Sequence, residues 1–321
     1  MTQRVWGVNS EQAAQHFVLR EQFPERHEML ASHIRVLWGQ DYCEVRRCED
    51  CGFCFSAPYI AGDATFYGLA YERSGYPTWK WEYQVTLDVL KSASGRNLRL
   101  LEVGAGDGAF IRRVIDNILP RESIFCTEYS DYGRRKIEKM GVRCVSEDIR
   151  ELAEVDVGGA FDIVCMFQVL EHMDRLGELF EKLGTLVRPG GSLFIAVPNP
   201  VRIKFNEENG ALLDMPPNHI GRWNKKCFEI MGDRSGFRLK EHMVEKDGLL
   251  AGVRQFLIYR FLRKSQVNGS FENRIQSMHT GYLHRLMQFV GLVGGSFSAI
   301  PYLGKEGFGS GDSLWVHLLR A

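Results

Sequence analysis

An excess of charge of either sign is missing from this sequence. Lys+Arg and Asp+Glu each number 40 in 321 residues, so no net field draws the chain to nucleic acid or to an anionic membrane. No Arg-rich stripe supplies a local one. The segment MTQRVWGVNSEQAAQHF has neither an uninterrupted apolar core nor a cleavage-site pattern, so no secretory leader is expected and a cytoplasmic enzyme is the expectation. Long apolar runs are scarce. The longest uncharged stretch, Leu286 to Gly304, is broken by glycines, serines and a proline, so no membrane span is expected. Internal repeats and low-complexity linkers are also absent. Cysteine does not occur between Met1 and Asp41, and then four of the eight fall in CEVRRCEDCGFC, as Cys43, Cys48, Cys51 and Cys54. In a reducing compartment that cluster indicates metal rather than disulfides. Cys126, Cys144, Cys165 and Cys227 lie scattered in apolar segments and read as ordinary buried thiols.

With 45% hydrophobic and 25% charged residues, the chain can bury a sizeable core as one large domain plus appendages. An N-terminal region ends near Gly75, and YPTWKWEYQVTLDVLKSA reads as a helix. Strands LRLLEV, SIFCTE, VRCVS, FDIVCMF and SLFIAVP then alternate with helices AFIRRVIDNIL, DYGRRKIEKM and Leu176 to Leu186. Such alternation predicts an α/β fold with a parallel sheet, helices on both faces and a ligand beyond the carboxyl ends of the strands. FRLKEHMV and SLWVHLL close the chain as strands, separated by a mostly helical stretch from Leu249 to about Val293.

The turn in LLEVGAGDGAF carries the chemistry. Gly104, Gly106 and Ala109 fit a dinucleotide fingerprint by spacing. Charge argues against that reading, because Glu102 at the strand end and Asp107 inside the turn would face a pyrophosphate. S-adenosylmethionine carries a sulfonium and an ammonium instead. Carboxylates beside the turn attract it, while Gly104, Ala105, Gly106 and Gly108 let backbone approach its methionine portion. Glu128, 26 residues after Glu102, ends the next strand beside Tyr129 and can accept from both ribose hydroxyls, although a dinucleotide site also wants an acid there. Asp148 follows the third strand, where its carboxylate could accept from the adenine amino group with the Ile149 backbone facing the ring. It could equally be a helix cap.

LLEVGAGDGAF, FDIVCMFQVLEHM, LVRPGGSLFIAVPN and MPPNHIGRWN, in that order, resemble the class I S-adenosylmethionine-dependent methyltransferases. The branch includes ubiquinone-biosynthesis O-methyltransferases and bacterial enzymes acting on sugars and secondary metabolites. The resemblance covers roughly Tyr76 to Val244 and the final strand. It implies a Rossmann-like seven-stranded sheet with the last strand antiparallel, and cofactor contacts at Glu102, Gly104, Gly106, Glu128, Asp148 and the Phe167–Gln168 segment. Residues 249–293 exceed what a minimal member needs and are expected to cover the substrate or to be structural padding. Residues 1–75 resemble the zinc ribbon that precedes many such domains. Those ribbons have an earlier C-x-x-C pair, which this chain lacks. Cys43 and Cys54 could complete a set with Cys48 and Cys51, His27 or His33 could substitute, or the metal could be lost. The spacing also invites an iron–sulfur reading, but the usual cysteine followed by proline is absent.

Methyl transfer needs an aligned acceptor and, for a hydroxyl, a proton acceptor. Glu171 and His172 follow the fourth strand, and His219 lies in the loop region after the fifth, on the same edge. A histidine could act as base, or the three could hold a divalent ion, as in relatives with E-x-x-E-H and a later histidine. Here Gln168 occupies the first of those positions. A small-molecule acceptor is expected, with a hydroxyl of a sugar or secondary metabolite favoured. The aromatics from Tyr67 to Tyr83, with Trp223, could form an acceptor wall or belong to the core.

Overall fold

The computed structural model describes residues 1–71, 78–92, 98–153, 158–209, 211–265, 267, 269–276, 278, 281–293 and 296–321. The expected boundary near Gly75, and Tyr76 with it, lies outside them. The described chain divides into two compact units, one of residues 1–198, 215–243 and 313–321, the other of residues 199–214 and 244–312.

The first unit opens with β1 (Thr2–Asn9), α1 (Ser10–Phe17), α2 (Pro24–Trp38), β2 (Tyr42–Cys48), β3 (Cys54–Ala57), α3 (Ala64–Ala70) and α4 (Trp81–Ser92). Local chemistry sets these limits. Asn9 and Gln12 cap α1 reciprocally, each side chain taking the other's backbone N–H. Pro24 opens α2 and Gly39, in the left-handed region at φ 65°, ends it. β1 pairs antiparallel with β2, β2 with β3, and β3 with the two-residue β9 (Gly221–Arg222). Three helices and three strands, joined by β9 into a four-stranded sheet, therefore stand where the sequence suggests a small ribbon.

The second sheet comprises β4 (Leu100–Val103), β5 (Ile124–Thr127), β6 (Arg143–Val145), β7 (Phe161–Phe167), β8 (Val187–Pro198), β10 (Phe237–Lys246) and β11 (Ser310–Arg320), in the order β10-β11-β8-β7-β4-β5-β6. Strands β4 to β8 are parallel and β11 runs antiparallel to β8, as expected. β8 starts earlier than SLFIAVP suggests, because it takes in the RPGG turn through an irregular register opposite Phe161. β7 is apolar at nearly every position because both sheet faces are covered. The helices α5 (Ala109–Asn117), α6 (Asp131–Glu138), α7 (Leu176–Leu186) and α9 (Lys225–Arg234) belong to the same unit. On α7, Leu179, Phe180, Leu183 and Leu186 make one buried stripe at helical spacing. Trp223 and Tyr83, candidates for an acceptor wall, are buried in the two core clusters.

The second unit is helical: α8 (Pro200–Glu208), α10 (Leu249–Ser265), α11 (Phe271–Gln276) and α12 (Tyr282–Val293). Phe205, Phe256 and Ala299 form its core. Beside them lies a cavity of about 370 Å³ whose lining includes Phe205, Phe256, Tyr259, Arg260, Arg263 and Tyr302.

One core group makes stability depend on acid. His317 on β11 is 2% exposed, its ring 4.3 Å from that of Phe194 and its Nε2 2.9 Å from Ser192 Oγ. Burial, then the charge of Lys240, pushes its pKa down to about 4. A depressed histidine contributes stability that is complete above its unfolded pKa, about 6.5, and is lost as pH falls towards 4. Denaturant titrations should therefore show about 3 kcal/mol lost across that window. His317→Gln should flatten that stretch of the profile, and an unchanged slope would remove His317 as its source.

Candidate active site

Parallel pairing brings the segments after β4, β5, β6 and β7 to one edge of the sheet. The glycine turn after β4 holds Gly104, Gly106 and Gly108 at φ 68°, 57° and 79°. Gly104 and Ala105 both donate to the Thr127 carbonyl, which ties the turn to β5. Helix α6 approaches closely, since a Cβ at Gly133 would stand 2.3 Å from the Gly106 carbonyl oxygen.

Glu128 is 9% exposed, and both its oxygens accept backbone N–H groups: Oε2 from Gly106 at 2.7 Å and Oε1 from Ser130 at 2.8 Å. Its carboxylate thus builds the turn as well as standing where ribose hydroxyls are expected. Tyr129 is largely exposed, and its hydroxyl donates to Asp148 Oδ2 at 3.0 Å. Asp148 caps the short turn Ile149–Glu151 by accepting from the Arg150 N–H, and Arg150 also grips both its oxygens. The cap reading of Asp148 is therefore realised, with a guanidinium added. Ile149 is buried, so only its backbone can face a ligand. Phe167 is likewise buried, its ring about 5 Å from those of Tyr83 and Phe110.

Glu102 tests the fit of the cofactor. It is 1% exposed, and its Oε2 has no hydrogen-bond partner among the described residues. Burial raises its pKa well above the ordinary carboxylate value, the Lys80 charge opposing and Glu128 adding. An unsatisfied buried carboxyl beside a glycine turn fits a cationic ligand, whose charge would offset the desolvation. Asp107 accepts from Lys136 Nζ at 2.9 Å.

The second half of the site lies after β7. Gln168 sits in the left-handed region at φ 57°, uncommon for a non-glycine residue. Its Nε2 donates to Glu82 Oε1 and Ser313 Oγ, and the Ser313 hydroxyl donates to Glu82 Oε2. Gln168 thus points into a buried polar cluster. Glu171, His172 and His219 offer one ligand atom each, all within 4.8 Å of one another. Glu171 is 1% exposed. The His172 Nδ1 is 2.7 Å from the Asn218 carbonyl oxygen, so Nδ1 carries the hydrogen and Nε2 holds the lone pair. The His172 and His219 rings stand 4.8 Å apart, edge to face. The Tyr67 hydroxyl reaches the same imidazole at 3.3 Å, and Tyr67 stacks on Tyr71.

Glu82, Asn218 and Ser313 escape motif reading. Glu82 had a signal: it shares the buried stripe of α4 with Tyr83, Thr86, Leu87 and Leu90, where a carboxylate needs a partner. The four N-terminal cysteines do not form one group. Cys43 and Cys48 lie five residues apart along β2, about 16 Å of extended chain, too far for one ion with ligand bonds near 2.3 Å. Cys43 is fully buried, which pushes its thiol up to about 12. His33 bonds Asp63 at 2.7 Å and His27 is buried in α2.

Comparison with known proteins identifies the family. A family described as a methyltransferase domain matches residues 79–242, half of the chain. A Mycolicibacterium smegmatis protein named "Probable S-adenosylmethionine-dependent methyltransferase" is 28% identical over 189 residues, 58% of this chain and 68% of that one. A mitochondrial ubiquinone biosynthesis O-methyltransferase of Dictyostelium discoideum is 28% identical over 69 residues, so the chain spans only 22% of that relative. The crystal structure of a SAM-dependent methyltransferase from Archaeoglobus fulgidus is 16% identical, with a TM-score of 0.45 over 74% of this chain and 94% of that one. No described helix is long and apolar enough to cross a membrane. With half its length matched by that family, the chain belongs to the class I S-adenosylmethionine-dependent methyltransferases.

Proposed function

We propose that the protein methylates a hydroxyl of a small molecule, a sugar or secondary metabolite, with His172 as the proton acceptor. The observation that carries this reading is the placement of the Glu171, His172 and His219 group on the strand edge that also presents the glycine turn and Glu102. The short match to an O-methyltransferase supports an oxygen acceptor. Glu102, the Gly104–Gly108 turn, Glu128 with Tyr129, and Asp148 with Ile149 would hold S-adenosylmethionine. That cofactor supplies a methyl group on a sulfonium.

The protein's own contribution is to bind, orient and take a proton. Asn218 fixes the His172 tautomer, so Nε2 is the nitrogen that would take the proton of an acceptor hydroxyl. Glu171, its Oε1 3.8 Å from Nε2, would stabilise the imidazolium that results. Tyr67 and Tyr71 offer an aromatic face beside the base. Residues 249–293, with their aromatic and cationic cavity, are the part we assign to acceptor recognition. A second reading has its own support, because three donors within 4.8 Å could hold a divalent ion that lowers the acceptor's pKa. In that case Gln168, turned to Glu82 and Ser313, is not among the ligands.

His172→Ala should lower kcat about 10²- to 10⁴-fold while S-adenosylmethionine affinity stays unchanged by calorimetry. EDTA should leave the wild type active. Activity lost to EDTA and restored by magnesium or manganese would replace the base reading with the metal one.

Glu128→Ala should weaken cofactor affinity at least about tenfold, given about 1.5–3 kcal/mol for each hydrogen bond to a charged group. Glu102→Gln should weaken S-adenosylmethionine more than S-adenosylhomocysteine, which lacks the sulfonium charge. Since burial raises the Glu102 pKa in the free protein and a cation favours its ionised form, wild-type S-adenosylmethionine affinity should rise with pH and that of Glu102→Gln should not. Equal losses for both ligands would place the sulfonium away from Glu102.

A further inference from the structure

We propose that the helical unit binds a phosphate ester of the methyl acceptor in the cavity between α8 and α10, a step that rests on assigning residues 249–293 to acceptor recognition. The carbon skeleton of that acceptor would lie against the aromatic side of the cavity and its phosphoryl group against the cationic side.

The cavity, about 370 Å³, has two kinds of wall. One is aromatic: the Phe256 and Tyr302 rings stand 4.6 Å apart, and Phe205 flanks them at 6.5 and 6.1 Å. The other is cationic. Arg260, Arg263 and Lys264, at positions i, i+3 and i+4 of α10, share one helix face and all line the cavity, and among the described residues no carboxylate does so. Like charges at this spacing repel one another, so the face costs stability unless an anion offsets it. A volume of this size suits a small organic ligand rather than a lone ion.

The partners of these cations leave positive charge over. Lys264 pairs with Glu272, Nζ to Oε1 at 3.7 Å, while Arg263 gives Nη1 to the Asn209 carbonyl at 2.7 Å, a neutral acceptor that does not compensate its charge. Arg260 is half-buried and has no hydrogen-bond or ion-pair partner among the described residues. Two guanidinium charges without a carboxylate match a phosphate monoester, which carries about −1.5 to −2 near pH 7, better than they match the single charge of a carboxylate. An independent observation comes from α8. Asn206 lines the same cavity and is 4% exposed, and its Nδ2 has no hydrogen-bond partner among the described residues. A buried donor without an acceptor is a cost to the fold, and a phosphoryl oxygen would supply what it lacks. Guanidinium forks and an amide donor are the groups that recognise such oxygens.

Calorimetry on the full chain, with 1-naphthyl phosphate as the probe, tests the site. The wild type should bind it at least about tenfold more tightly than 1-naphthol, 1-naphthoate or inorganic phosphate. Arg260→Gln should weaken the probe about tenfold or more and Asn206→Leu about fivefold. Arg254→Gln, exposed on the same helix, and His172→Ala should leave its affinity unchanged, as should saturation with S-adenosylhomocysteine. Arg260 has no partner to lose, so its variant reads the site even if Asn206→Leu fails to fold. Any of four results would overturn the proposal: no binding by the wild type, equal affinity for 1-naphthol or 1-naphthoate, wild-type affinity in Arg260→Gln, or displacement of the probe by S-adenosylhomocysteine. Binding is read without turnover, so the two readings fail separately. A protein that binds the probe yet transfers no methyl group loses only the methylation reading, and an active one that does not bind it loses only this site.

Discussion

Glu128 is the constraint on which the cofactor end of the molecule depends. Its two oxygens collect the N–H groups of Gly106 and Ser130, so one buried carboxylate closes the glycine turn and starts α6. Without it, two amides would lose their acceptor, and the approach of Gly133 to the Gly106 carbonyl would lose its guide. The turn is thus preorganised by the same carboxylate that is proposed to meet the cofactor's ribose. Neighbouring Glu102 is its opposite, a carboxyl whose Oε2 is left unsatisfied by the fold.

The parallel sheet was readable because buried strands and amphipathic helices have distinct periods. FDIVCMF and Leu176–Leu186 match β7 and α7 residue for residue. The strand edge bearing Glu171, His172 and His219 followed from the same alternation. What escaped were contacts between residues far apart in the chain. Nothing local indicates that Ser313 and Gln168 share Glu82, or that Cys227 adjoins Cys51. The N-terminal sheet was missed for a related reason: its hairpin partners β1 and β2 are separated by two helices, so the pairing has no turn signature.

Histidines in this chain take opposite roles through their surroundings. His317, enclosed by β-sheet and aromatic rings, is held neutral as a packing element. His172 has one nitrogen committed to a backbone carbonyl and the other facing a carboxylate and a second imidazole. Only the second arrangement suits the proton transfer proposed for His172.

The two-residue strand β9 has an implication for modularity. Residues 221–222 add to the edge of β3, the Ser56 N–H reaches the Ile220 carbonyl, and the Gly62 N–H reaches the Pro217 carbonyl. The stretch carrying His219 is therefore laced at both ends to the N-terminal segment. A seam drawn between that segment and the methyltransferase sheet would cut through the support of a candidate catalytic group. Removing the N-terminal piece would take with it the strand and the amides that brace this loop.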